Sequence, residues 1–215
     1  MPIKHHPDIA NLMSCAAGSQ PEALAAVMAA HISMCPECAA EVSKLEAIGV
    51  ALFEGLALAP VQRPAPVVSA RAGEANRGTT IQEAGPGGDV PAPLVGRIGH
   101  RLDDIAWKRI GPGIWHYPLS LSKGAEGDLR LLKIAPGKAV PEHGHGGAEL
   151  TLLLKGSYHD SIGVFQTGDV ADLDADVEHQ PIAGETEGCI CLVGSERKAR
   201  FKSLFARLVQ PLTGM

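Results

Sequence analysis

The residues Gly137-Lys-Ala-Val-Pro-Glu-His143-Gly-His145-Gly-Gly-Ala-Glu149-Leu-Thr-Leu-Leu-Leu-Lys-Gly156 carry the most informative spacing in this chain. His143 and His145 stand at i and i+2, which places two side chains on one face of an extended strand. Gly146-Gly147 supplies a bend, and Glu149 then rejoins the histidines from the following strand, so two imidazoles and a carboxylate share one interior face. On either side of this stretch, short apolar runs alternate with Gly and Asp turns: Leu129 to Ile134, Leu150 to Leu154, Gly156 to Val164, Asp169 to Leu173 and Cys189 to Val193. Runs of that length and spacing predict a closed or sandwiched all-β domain, assigned here to residues 94–215. Phe201 to Leu212 is expected to add a strand, and Trp107, Trp115, His116 and Tyr117 to pack the mouth of the barrel.

The spacing of Gly137, His143, His145, Glu149 and Gly156 resembles the first motif of the cupins at every defined position. That resemblance implies a jelly-roll barrel with a metal inside it. The second cupin motif contributes another histidine, and after Gly168-Asp169 the matching offset is filled by His179. The motif's proline, glycine and late asparagine are replaced by Asp174, Asp176 and Ala183, which puts the geometry around His179 in question. Ligands of the types in His143, His145, Glu149 and His179 accept Zn, Fe, Mn, Ni or Cu, and zinc is the first expectation for the barrel. Cys189 and Cys191 alternate with Ile190 and face the same side, near the metal. Same-face neighbours on one strand lie about 6.6 Å apart, near the upper limit for a disulfide, so ordinary packing is the first reading and a redox role the second.

Upstream, residues 60–93 are dominated by Pro, Ala, Gly and polar residues, as in Arg63-Pro-Ala-Pro66, Gly85-Pro-Gly-Gly-Asp89 and Pro91-Ala-Pro93, with little to bury. They read as a linker. Residues 1–59 change texture again, to Ala, Leu, Met and Val, and predict helices over 8–17, 21–34 and 36–57, with Pro21 as a first helical residue. His31 and Cys35 fall at i and i+4 on one helix face, and Cys38 follows at the next helix start. A tetrahedral zinc site needs a fourth N or S ligand, for which His6 is expected first, its neighbour His5 second, with Cys15 in reserve. A helical unit of this size has a thin core, so a structural ion would contribute folding energy. A thioredoxin-type use of Cys35 and Cys38 lacks the βαβ surroundings it requires. Met13, Leu24, Val27, Met28, Leu52, Phe53, Leu56 and Leu58 are more apolar surface than one small core consumes, which suggests a protein partner.

A histidine near the start, then His31, three residues, Cys35, two residues and Cys38 on short helices, resembles the zinc-binding anti-sigma factors. Followed by a Pro-rich linker and a cupin, it resembles the ChrR-type anti-sigma factors over nearly the whole chain, including the closing Leu208-Val-Gln-Pro211. The resemblance implies a two-domain α plus all-β protein, a zinc helical bundle followed by a cupin barrel. It also implies a one-to-one hold on an extracytoplasmic-function (group IV) sigma factor, released when the cupin senses singlet oxygen or organic peroxide. The alternative is a metal-dependent cupin enzyme, a dioxygenase or isomerase, for which the helical zinc unit has no use; no catalytic residues are therefore expected.

Composition narrows the classes further. A net charge of −5 in 215 residues gives no basic footprint for nucleic acid. No apolar run reaches the ~18 residues of a membrane span. Met1-Pro-Ile-Lys-His-His is not followed by the apolar core of a secretory signal, so a soluble cytoplasmic protein is expected. An odd count of five cysteines in a reducing compartment favours metal ligation over structural disulfides.

Overall fold

A computed structural model describes residues 2–57, 88–197 and 200–201. Helix α1 (Ile9–Ala16) starts at Asp8, whose carboxylate accepts the Asn11 N–H at 2.6 Å. Helix α2 spans Glu22–Met34, with Pro21 one residue outside it, and α3 spans Pro36–Glu54. Cys35 is the extended residue between α2 and α3, closing one helix and capping the next through its thiol, which accepts from the Cys38 N–H at 3.5 Å. These helices match the three expected from the sequence to within a few residues at their ends.

The β region comprises β1 (Lys108–Gly111), β2 (Ile114–Pro118), β3 (Asp128–Ile134), β4 (His143–Gly144), β5 (Glu149–His159), β6 (Val164–Gln166), β7 (Val170–Leu173), β8 (Glu178–His179), β9 (Ile182–Ala183), β10 (Cys189–Ser195) and β11 (Arg200–Phe201). Every strand pair is antiparallel. One sheet runs β1-β2-β3-β10-β5-β6, with β7 and β9 also paired to β5, and a second runs β11-β4-β8. The expected break at Gly156 is absent. Its φ of 74° and the Gly188 carbonyl, which sits where a Cβ would be, let β5 run through the bulge between Ile190 and Cys191.

The central strands read as almost unbroken apolar runs because both their faces are covered. Leu150, Leu152, Leu192 and Leu131 point outward into a core shared with α2, whereas Leu153, Cys189, Cys191 and Val193 point into the barrel. Leu24, Val27 and Met28, read from the sequence as surplus surface, are buried in that shared core; Met13, Leu52, Phe53 and Leu56 do stay exposed. The approach of α2 is close enough that a Cβ on Gly194 would overlap the Ala23 carbonyl.

The tail of the supposed linker is also part of the fold. Val90 is buried and α4 (Ala92–Ile98) packs Leu94 and Val95 against α2, because those residues are apolar and helical despite the prolines around them. Residues 60–87 of the linker, Leu58, the strand expected beyond Phe201 and Leu208 to Pro211 lie outside the described residues. Trp107 and Tyr117 pack against the shared core instead of the barrel mouth, since they sit on its outer side. Among the described residues, no single helix is long and apolar enough to cross a membrane.

Candidate metal centres

Two groups of potential metal ligands converge among the described residues. In the first, the donor atoms of His6, His31, Cys35 and Cys38 all lie within 4.8 Å of one another. His6 Nδ1 is 3.3 Å from Cys38 Sγ and 3.5 Å from Cys35 Sγ, and His31 Nε2 is 3.3 Å from Cys38 Sγ. Zinc bonds of about 2.3 Å to sulfur and about 2.0 Å to nitrogen set tetrahedral edges of roughly 3.3–3.8 Å, and these three distances fall within that range. His31 comes from the last turn of α2, Cys35 from the junction and Cys38 from the first turn of α3.

The fourth position falls to His6 because of how the N-terminal arm is held. The N–H groups of Lys4 and His5 donate to Asp169 Oδ1 at 2.7 and 3.1 Å, and the Val170 N–H donates to the His5 carbonyl at 3.0 Å. The His5 ring is thereby turned onto Phe165, 4.6 Å between centroids, leaving its neighbour to face the thiols. Cys15, half-buried on α1, is outside the group.

Burial pushes the Cys38 thiol up to about 12, with the Cys35 thiol adding to the effect, and burial also lowers the pKa of His31. Without an ion, Cys38 is a neutral thiol and His31 a neutral imidazole. The Gly168 carbonyl can only accept, so the His31 proton sits on Nδ1, 3.0 Å away, and the Nε2 lone pair is presented to the site.

The second group is His143, His145, Glu149 and His179, all buried, with donor atoms again within 4.8 Å. Strands β4 and β8 place His143 directly opposite His179, β5 begins with Glu149, and His145 lies in the intervening bend. His143 Nδ1 donates to the Pro141 carbonyl at 3.0 Å, and His179 Nδ1 to Asp160 Oδ2 at 2.9 Å, which turns both Nε2 atoms toward the centre. Both ring nitrogens of His145 and Nε2 of His179 are buried without a hydrogen-bond partner, as expected of side chains reserved for an ion. Burial holds His143 neutral, lowering its pKa to about 4. For Glu149, burial acts to raise the pKa, but the surrounding imidazoles, His145 first with its Nδ1 3.1 Å from Glu149 Oε2, prevail and hold the carboxyl below its usual range. All four residues expected from the sequence are therefore brought together, the departures around His179 notwithstanding.

Beside this group a cavity of about 70 Å³ is walled by Leu132, Ile134, Val140, Tyr158, Cys191 and Val193. The buried Tyr158 hydroxyl has no hydrogen-bond partner. Cys191 and Cys189 are free thiols with sulfurs 3.8 Å apart; the hydrogen bond to Cys189 and burial raise the Cys191 pKa well above its ordinary value. Arg130, on the same wall, pairs with Asp128 and lies 3.3 Å from His116 Nδ1, which places His116 behind the cavity wall. Sequence reasoning missed Asp160, Asp169 and Thr151, whose hydroxyl donates to Glu149 Oε1 at 3.3 Å. Thr151 follows Glu149 by two residues on β5 and was open to the same i, i+2 reading, whereas Asp160 and Asp169 meet His179 and the N-terminal arm across distances in the chain that no spacing signals.

Residues 95–199 match the family described as the ChrR cupin-like domain. The chain is similar to the anti-sigma-E factor ChrR of Cereibacter sphaeroides, with 38% identity over 213 residues, 98% of each chain. It is also similar to a chain in the crystal structure of Rhodobacter sphaeroides SigE in complex with the anti-sigma ChrR, at 37% identity and a TM-score of 0.74, covering 90% of this chain and 99% of that one.

Proposed function

The chain belongs to the ChrR family of anti-sigma factors, and from that premise we propose that its helices hold an extracytoplasmic-function sigma factor inactive while its barrel receives the signal that ends the hold. The observation that carries the reading is the uncovered apolar face of α1 and α3. Met13, Ile48, Leu52 and Phe53 are exposed there, Phe53 to 75% and Leu52 to 70%, with Leu56 exposed just beyond α3, while Leu24, Val27 and Met28 of the neighbouring α2 are under cover. A contiguous apolar face of this kind costs free energy in water and is stabilised by a protein partner. The related ChrR was crystallised with SigE. A sigma factor acts on RNA polymerase, so the hold takes place in the cytoplasm; a chain of net charge −5 acts there on protein, not on DNA. The metal-enzyme alternative gives way to the family assignment.

Zinc, the ion that suits two thiolates and two imidazoles, would be held by His6, His31, Cys35 and Cys38 and would supply a cross-link between the arm, α2 and α3. A divalent metal, zinc again in the first instance, would be held by His143, His145, Glu149 and His179. In this reading the oxidative signal, singlet oxygen or an organic peroxide, acts in the cavity that His143, Glu149 and His179 share with the Cys191 thiol, and what supports it is that shared lining.

The test is copurification of the full chain with an extracytoplasmic-function sigma factor. Phe53→Asp is expected to abolish the one-to-one complex without changing zinc content, since it puts a charge on the apolar face. His143→Ala is expected to leave the complex intact and blunt its release by peroxide. Undiminished binding by Phe53→Asp, or equal loss of binding in both variants, would sink the reading.

A further inference from the structure

The helical metal group does not stand on helices alone. Two of its four ligands are aimed by the barrel turn at residues 166–169 between β6 and β7. The Gly168 carbonyl takes the His31 Nδ1 proton at 3.0 Å, setting both the tautomer and the ring angle of that ligand. Asp169, 1% exposed, spends its carboxylate on backbone N–H groups: Oδ1 accepts from Lys4 and His5, and Oδ2 from Gln166 at 2.9 Å. Val170 then takes the His5 carbonyl at 3.0 Å. His5 is thus pinned through both its N–H and its C=O, and Pro7 is buried, which fixes the backbone on either side of His6. One residue further on, Asp172 Oδ2 accepts from the Asp8 N–H and the Asn11 amide, both at 2.9 Å. Side chains of barrel residues therefore bind the arm both before and after the ligand.

We infer that Gly168 and Asp169 are positioning residues for the helical metal site, so that the barrel sets how tightly the helices keep their ion. The inference rests on the reading of His6, His31, Cys35 and Cys38 as a metal site. Partners that orient a metal's ligands are worth about tenfold to hundredfold in affinity. The connection also has a defined far end. The turn leads into β7, which pairs with β5 so that Val170 lies opposite Leu152 and Leu173 opposite Glu149, the carboxylate of the barrel group. A shift in the barrel strands that carry Glu149 has a direct route to the backbone that aims His6 and His31.

Cobalt(II) distinguishes the two sites, because only the helical one has thiolates and hence sulfur-to-cobalt charge-transfer absorption. We would load the full chain with cobalt and titrate that band against a chelator in the parent, Asp169→Asn and Asp169→Ala chains. The expected result is a loss of about tenfold or more in affinity for Asp169→Ala. Asp169→Asn, which keeps an oxygen acceptor, should lie between, and the barrel's thiolate-free cobalt bands should persist in both. Equal affinities in all three chains would overturn the proposal. Joint loss of both cobalt signals, in Asp169→Asn as well, would also overturn it by showing that Asp169 only holds the fold together. Absence of a thiolate band in the parent chain would sink the metal reading itself.

Discussion

Burial and the adjacent Cys35 thiol push Cys38 to about 12, and this one group sets a direction for the helical site's response to acid. A metal takes the thiolate, so binding must expel the Cys38 proton. Apparent zinc affinity is therefore expected to fall as pH falls across neutrality, by up to about tenfold per unit for each proton displaced. Chelator competition at several pH values checks this, and an affinity flat with pH would contradict it. The donor types of both groups were legible in the sequence, because spacing on a helix or a strand is enough to put His31 beside Cys35 and His143 beside His145. The choice of His6 over His5 was not. Asp169 makes it by capturing the His5 backbone, and Asp169 is far from His5 in the chain.

At the level of elements, the docking of α2 on the barrel depends on Gly194 in β10. A Cβ there would overlap the Ala23 carbonyl and come within 2.8 Å of Val27 Cγ2, so the helix has to move outward. Gly194→Ala is expected to cost about 1–3 kcal/mol, read as a lower denaturation midpoint at unchanged slope. An unchanged midpoint would mean that the helix is not held at this distance. The helices themselves were readable from caps and periodicity. The apolar character of α2 was readable too, but not its destination: the same Leu24, Val27 and Met28 serve equally for a partner face or a core, and only the sheet lying beneath them makes them core.

For the molecule as a whole, Leu24 and Met28 of the helices share one core with Leu152 and Leu192 of the barrel, the arm and α2 rest on the strands, and α4 packs against α2. Heat is therefore expected to unfold the full chain in one cooperative transition, with the calorimetric and van't Hoff enthalpies equal. Two well-separated transitions would contradict that shared core. From the chain alone one can read a helical part and a β part, each with its own ligand set, because secondary structure and ligand spacing follow from neighbours within a few residues. That the two parts form one core, that a barrel turn aims the helical ligands, and that Asp160 orients His179 depend on pairs far apart in the chain, up to 165 residues for Lys4 and Asp169. Such pairs leave no local periodicity, and they come into being only when the strands have paired and the arm and helices have docked on them.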